Sequence, residues 1–366
     1  MAVIPEPSHL TPVPPHAHPP TQAFAPPTGE TVLDPPLRLE GHGHRFYQSP
    51  IRFFALLWAL LSNLPRQFEI LRILRLPQFA DLLRADRFLP FKYLTRDYLV
   101  RGLPVRERAA CFAHHYQRLA TAFPPEILRR VTSSQFILLE KEEEGRRVSV
   151  QLGFARTQVR EGELALSLQV DGVTIYVLQF TIVPGWAVNS RAAEVFLVSR
   201  LQGIKGSYPL VYLATKALCD VAPPALLLAI LHGVAQVCSI DEMACISAEN
   251  QFSYVASAAD SFHAAYDNYW LELGATRISA RFFACPIPPE EKSLAGIKNG
   301  HKSRTRKKRE FKRRIAQDAS LLLQGWIPQP GKDFDHFEPS LDGATQDPPI
   351  KRITLRPLAP KSSKPS

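Results

Sequence analysis

Cysteine is scarce in this sequence, and its spacing excludes more than its number does. Cys111, Cys219, Cys238, Cys245 and Cys285 are odd in number, lie far apart and include no C-x-x-C pair. That pattern argues against a disulfide framework and against a structural zinc site, and it fits a reducing, cytosolic setting. No bound metal is expected. Long apolar runs are also missing. The longest, Phe53 to Leu61, is about half of what a membrane-spanning helix needs. A secretory signal is not visible either, because the first residues are rich in proline rather than basic and then apolar.

The two ends lack apolar periodicity. Eleven prolines fall in the first forty residues. Proline removes backbone donors and favours extended polyproline II, so residues 1–44 read as a disordered tail. Residues 326–366 read the same way, with Asp347-Pro348-Pro349 and a finish of lysine, serine and proline. Between them, 45–325 reads as one α/β domain: a helical part over 45–130, a sheet part over 131–290 and a basic helix over 300–325.

The net charge of +10 is concentrated near that last helix, in Lys302, Arg304, Arg306, Lys307, Lys308, Arg309, Lys312, Arg313 and Arg314. Such a cluster suits the anionic inner face of a membrane, with peripheral attachment of a cytoplasmic protein, or simply a solvated helix face. Nucleic acid is the weaker partner, since Phe311 alone interrupts the run where a stacking platform needs several aromatics.

Periodicity gives the elements. Phe53, Leu56, Leu57, Leu60, Leu61 and Leu64 recur at helical spacing, and Pro65 opens a second helix carrying Phe68, Leu71 and Leu74 with Arg66, Arg72 and Arg75. This basic amphipathic pair either caps the sheet or lies on a membrane surface. A helix over Val105 to Phe123 holds His114-His115, which point to different faces, so one of them is expected to be packed inside. From Phe136 the period changes to two. Phe136 to Glu140 and Arg147 to Leu152 read as strands around a Lys141 to Gly145 turn. Leu164 to Val170, Asp171-Gly172 and Val173 to Phe180 form a hairpin with a type I′ turn. A strand from Glu194 to Leu201 enters the loop Gln202-Gly203-Ile204-Lys205-Gly206-Ser207, followed by helices over Leu210 to Cys219 and Ala225 to Val237. Met243 to Ser247 is a short strand, Asp260 to Leu273 a helix capped by Asp260 or Ser261 and closed by Gly274, and Thr276 to Cys285 the last strand.

Strand, glycine loop and helix in that order place chemistry at Arg200, Gly203, Lys205 and Gly206. Backbone amides at such a junction bind pyrophosphate, glycine lets the backbone come close, and Lys205 adds charge. The same residues also make an ordinary tight turn. Glu249 and Asn250 end a buried strand, where ligand clefts tend to open, and Glu249 is a candidate base or amine holder. His263 precedes Tyr266 by one helical turn. Tyr266 and Tyr269 lie three residues apart on one helix face, as core aromatics or as phenols facing a site.

The order of antiparallel strands, glycine loop, helices, strand, tyrosine-bearing helix and final strand resembles the GCN5-related N-acetyltransferases over about Gln135 to Cys285. The resemblance implies a coenzyme A or acyl-coenzyme A ligand, a pyrophosphate cradle from Arg200, Gly203, Lys205 and Gly206, and Tyr266 or Tyr269 as general acid. That family's loop reads Gln/Arg-x-x-Gly-x-Gly/Ala; here Lys205 takes the third site and Gly206 comes one residue late. Leu201-Gln202-Gly203, Ala214-Thr215-Lys216-Ala217-Leu218, the Pro223-Pro224 helix, Tyr266 to Gly274 and the basic run Arg306 to Arg314 also resemble the VirK/YbjX-like bacterial family. That resemblance implies an association with virulence and envelope stress, and no reaction.

The expected fold is therefore α+β: N-terminal helices, then a mostly antiparallel mixed sheet with flanking helices, of acyltransferase-like topology. Two functions stand side by side: an acyltransferase using an acyl-coenzyme A type donor and an acceptor the sequence does not define, or a non-catalytic protein held at the inner membrane by its basic and amphipathic helices.

Overall fold

A computed structural model describes residues 57–133, 136–155, 160–296 and 299–327. The tails expected at 1–44 and 326–366 lie outside these residues, apart from Trp326 and Ile327. So does the start of the first expected helix, of which residues 57–61 are helical.

Helices come first, as the 3.6-residue period requires. They are α1 (Leu64–Leu74), α2 (Ala80–Ala85), α3 (Val105–Ala122) and α4 (Pro125–Thr132). Pro65 occupies the first turn of α1, where a missing amide costs nothing. Eight strands follow: β1 (Phe136–Glu143), β2 (Arg146–Phe154), β3 (Leu164–Val170), β4 (Val173–Pro184), β5 (Glu194–Gly203), β6 (Glu242–Ile246), β7 (Thr276–Arg277) and β8 (Phe282–Pro286). Between β5 and β6 run α5 (Tyr208–Ala217) and α6 (Pro223–Cys238). Between β6 and β7 run α7 (Ala259–Ala265) and α8 (Asp267–Glu272), and α9 (Asn299–Gln324) closes the fold.

The strands form one mixed sheet in the order β1-β2-β3-β4-β5-β6-β8-β7. All neighbours are antiparallel except β5 and β6. The α+β class read from the sequence is the class observed. Asp171 and Gly172 both take positive φ, 50° and 80°, which the two-residue turn between Val170 and Val173 demands.

Four expected elements are redrawn. Strands β1 and β2 run further than expected, because Glu144-Gly145 alone makes the reversal and Glu142 and Glu143 pair with Arg147 and Arg146. The helix expected over Asp260 to Leu273 is two helices divided at Tyr266 (φ −114°, ψ −69°), and neither Asp260 nor Ser261 caps it by a side-chain hydrogen bond. Next to the division, the Asp267 carboxylate turns inward to accept the Ala248 amide at 2.7 Å. The last strand is likewise two, because the Ser279 hydroxyl accepts the amides of Arg281 and Phe282 and reverses the chain.

What fastens the helical part to the sheet is a buried ionic cluster. Lys92, from the turn before α3, lies 2.8 Å from Glu163, and both side chains are almost wholly out of water. Glu163 also accepts hydrogen bonds from Tyr98 (2.8 Å) and Tyr116 (2.5 Å), while its own amide donates to Thr181 on β4. Burial, and then the neighbouring carboxylate, raise both phenols well above their ordinary range, so they stay protonated donors. Beside them, His115 of α3 is fully buried and its Nδ1 accepts the Ile182 amide of β4 at 3.1 Å. The expectation that one of the two adjacent histidines is packed inside is met by His115. His114 instead lies 3.0 Å from Glu194.

Two outcomes follow. Glu163→Gln leaves Lys92 charged and unpaired in the interior and lowers stability by about 3–5 kcal/mol in a urea titration. Burial holds the His115 imidazole well below its ordinary pKa of 6.5. Its stabilising contribution is therefore intact above that value and lost as pH falls toward the depressed one. His115→Asn should flatten the fall of stability with acidification measured from pH 6.5 downward; an unchanged slope would assign that fall to other groups.

Candidate functional site where two parallel strands part

Parallel pairing between β5 and β6 holds at only three positions: Phe196 with Met243, Leu197 with Ala244 and Val198 with Cys245. Strand β5 continues through Gly203, paired among the described residues to β4 alone, while β6 stops at Ile246 and the chain turns away through Ala248–Asn250. A cleft of about 500 Å³ opens in this region, lined by Arg200 and Gln202 of β5.

The remaining walls are carried in by neighbouring segments. Leu99, at φ 63°, gives its amide to the Arg160 carbonyl at 2.8 Å and joins the Asp97–Arg101 stretch to residues 160–161. Arg101 donates from its side chain to the Phe252 carbonyl (3.0 Å) and from its amide to the Asn250 carbonyl (3.4 Å), which fixes the loop after β6. The result is a charged cleft: Arg101, Arg160 and Arg200 against Asp97 and Glu161, with Phe252 as an apolar wall.

Arg200 and Glu161 form a half-buried ion pair, 3.1 Å apart. Burial raises the Glu161 carboxyl above its ordinary value of 4.5, against the lowering pull of Arg200. The Arg200 Nε is buried and has no hydrogen-bond partner among the described residues, so this guanidinium has a donor to spare.

Register and alternation sort the strand residues. Gln179 pairs with Arg200 and Val177 with Gln202, on one face; Tyr176 pairs with Gly203, on the other. Gly203 belongs to the strand rather than to the loop. A Cβ there would stand 3.2 Å from the Tyr176 ring, so the room this glycine leaves is taken up by Tyr176. The loop proper is Ile204 to Ser207. Ile204 gives its amide back to Ile175, and Gly206 turns the chain at φ 83° into α5, whose first turn holds Pro209. Lys205 is exposed, and neither its amide nor that of Gly206 reaches a backbone carbonyl among the described residues.

The other expected site residues spread out from there. Tyr266 is buried and stacked on Phe262. Burial first, then the charges of Tyr176 and Glu161, raise its phenol above the ordinary range, while Arg200 pulls the other way. The Tyr269 hydroxyl is buried without a hydrogen-bond partner among the described residues, and its ring lies 5.2 Å from that of Trp270. Glu249 is exposed and stands 4.0 Å from His263. His263 is held by Asp267 at 2.9 Å rather than by Tyr266. Asp97, Arg101, Arg160 and Glu161 escaped the sequence reading, since each is a surface-type residue in a loop whose partners lie far off along the chain.

The basic run of Lys302 to Arg314 sits on α9, whose other face buries Phe311 and Ile315. Part of its charge is matched locally. Arg304 pairs with Asp220, and Arg309 and Arg313 with Glu291. No group of three or more metal-ligating side chains lies together among the described residues.

Fold and site define an α+β protein whose mixed sheet parts between two parallel strands beside a charged cleft. The chain belongs to the family described as Protein of unknown function (DUF535), whose model matches residues 49–320. Neither the curated proteins nor the solved structures contain a match to it.

Gly203→Val tests the packing at the strand end. It forces the Tyr176 ring aside and costs about 1–3 kcal/mol by urea denaturation. In a Tyr176→Leu background the same substitution costs less; additive effects would contradict the contact.

Proposed function

We propose that the chain is an acyltransferase that binds an acyl-coenzyme A type donor at the end of β5. The observation that carries this reading is the early parting of the parallel β5–β6 pair. Among the described residues it leaves the β6-facing edge of Ser199 to Gly203 without a strand partner, next to a loop with free amides and the start of a ten-residue helix. An unpaired strand edge accepts an extended amide-bearing ligand by hydrogen bonding, as an added strand would. The strand order β4-β5-β6-β8-β7 supports the likeness to the GCN5-related N-acetyltransferases.

The residues present fit such a donor. The Lys205 side chain and the amides of Lys205 and Gly206 suit phosphate oxygens, while Arg200, paired with Glu161, lies toward the reacting end of such a donor. Gly203 contributes by seating Tyr176 and Gly206 by its positive φ. A bound thioester supplies an activated carbonyl and a thiolate leaving group. On the protein's side, Glu161 takes the proton from the acceptor's amine or hydroxyl, since a raised carboxyl is a better base near neutral pH. Tyr266, kept protonated by burial, gives a proton to the departing sulfur. Glu161 takes the role expected of Glu249, because it lines the cleft; Tyr269 orders the core beneath.

Calorimetric titration of the full chain with acetyl-coenzyme A should give saturable binding, weakened about tenfold or more by Lys205→Glu. Absence of binding at millimolar ligand would overturn the assignment. Thiol release against a panel of amine and hydroxyl acceptors should fall about 10²-fold or more in Glu161→Gln and in Tyr266→Phe. For the wild type, kcat/KM should rise with pH through a pKa above 4.5, and this limb should vanish in Glu161→Gln.

A further inference from the structure

The helical segment at the start of the described chain is turned inside out relative to an ordinary surface helix. The winding of residues 57–61 continues almost unbroken into α1, through Ser62 to Trp58, Asn63 to Leu60 and Gln67 to Asn63 backbone hydrogen bonds. On this helix the face toward the protein carries two amides, Asn63 and Gln67, beside Ile70 and Leu74. The outward face carries Leu57, Leu61, Leu64 and Phe68, spaced four, three and four residues apart, with Trp58 at their side. Trp58 is 73% and Phe68 68% exposed. Tyr93 donates to Gln67, and Gln67 donates to the Pro90 carbonyl, so the Leu89–Leu94 turn lies alongside α1. That turn brings Phe88, 74% exposed, and Phe91. Eight of the sixteen exposed large hydrophobic residues among the described ones fall between 57 and 91. Such clustering marks an interaction surface rather than scatter.

Charge selects the occupant. The outward stripe continues at its C-terminal end into exposed Arg72 and Arg75, and Arg84 and Arg87 are exposed on the following turns. The acidic residues of the same stretch are all engaged: Glu69 with Arg66, Asp81 with Arg84, and Asp86 with the Phe88 amide. Arg72, Arg75 and Arg87 have no ion pair among the described residues. A second copy of this surface would meet the same positive rim, which repels it. Aromatic and leucine side chains beside unpaired arginines match the boundary between acyl chains and anionic headgroups.

We propose that the outward stripe Leu57, Trp58, Leu61, Leu64 and Phe68, with Phe88 and the Arg72–Arg75 rim, docks the protein on an anionic lipid bilayer. Apolar side chains enter the interface and the arginines stay at headgroup level. This surface is distinct from the basic run on α9, and it does not depend on the acyltransferase reading.

The test is co-sedimentation of the full chain with vesicles of phosphatidylcholine, with and without phosphatidylglycerol. Wild type should bind only the anionic vesicles, and less as salt rises. Trp58→Ser/Phe68→Ser and Arg72→Glu/Arg75→Glu should each weaken binding about tenfold or more, whereas Lys307→Glu/Arg314→Glu should leave most of it. The altered side chains are exposed, so an unchanged melting temperature certifies the fold; if either double variant unfolds, Phe88→Ser carries the same comparison. Three results would overturn the proposal. They are no binding by wild type, full binding by the stripe variants, or a wild-type dimer that the stripe variants convert to monomer without any vesicle binding.

Discussion

A carboxylate removed from water needs donors on every side, and Glu163 has them from three different parts of the chain. Lys92 supplies the charge, Tyr98 and Tyr116 supply hydroxyls, and Thr181 on β4 accepts the amide of the same residue. Each of these groups is stable in the interior only because the others are present, so the helical part and the sheet must meet in one register. Fidelity of arrangement is its main product, because a charge pair of this kind gives little net stability over apolar packing. The functional region hangs on it. Lys92 also holds the Gly162 carbonyl at 3.2 Å, and the next residues toward the N-terminus, Glu161 and Arg160, line the cleft. Tyr98 precedes by one residue the Leu99 amide that fixes Arg160. The sheet's parting strands alone would leave an open edge; the ionic cluster adds charged walls to it.

The cleft and the outward apolar stripe illustrate the same physical rule with opposite residues. In the cleft, charged groups are taken partly out of water, which raises the Glu161 carboxyl and leaves an Arg200 donor unspent. On the stripe, tryptophan and phenylalanine are left in water while asparagine and glutamine point inward. Both are departures from the packing that stability alone favours, and such departures are where function is sought.

Much of the fold was legible because it follows from local rules. Helical spacing with Pro65, Pro209 and Pro223 located α1, α5 and α6, and Asp171-Gly172 fixed the β3–β4 turn. The reading went wrong where side chains override local preference. Ser279 splits one apparent strand into β7 and β8, and the helix expected over Asp260 to Leu273 divides at Tyr266, beside an Asp267 that serves Ala248. Of the residues lining the cleft, Arg200 was singled out because it stands just before a glycine loop. Asp97, Arg101, Arg160 and Glu161 were not, since nothing local distinguishes a loop arginine that will face a cleft. Lys92 and Glu163 were missed for the same reason: their partnership spans a long stretch of sequence and leaves no periodic trace.

The most direct test of the central claim, that the strand edge left by β6 receives an acyl-coenzyme A type donor, is amide hydrogen exchange with and without acetyl-coenzyme A. The account predicts slowed exchange confined to Ser199 to Gly206 and the first turn of α5, with β1 and β2 unchanged. Exchange unaltered across Ser199 to Gly206, or slowed only at a different surface, would contradict it.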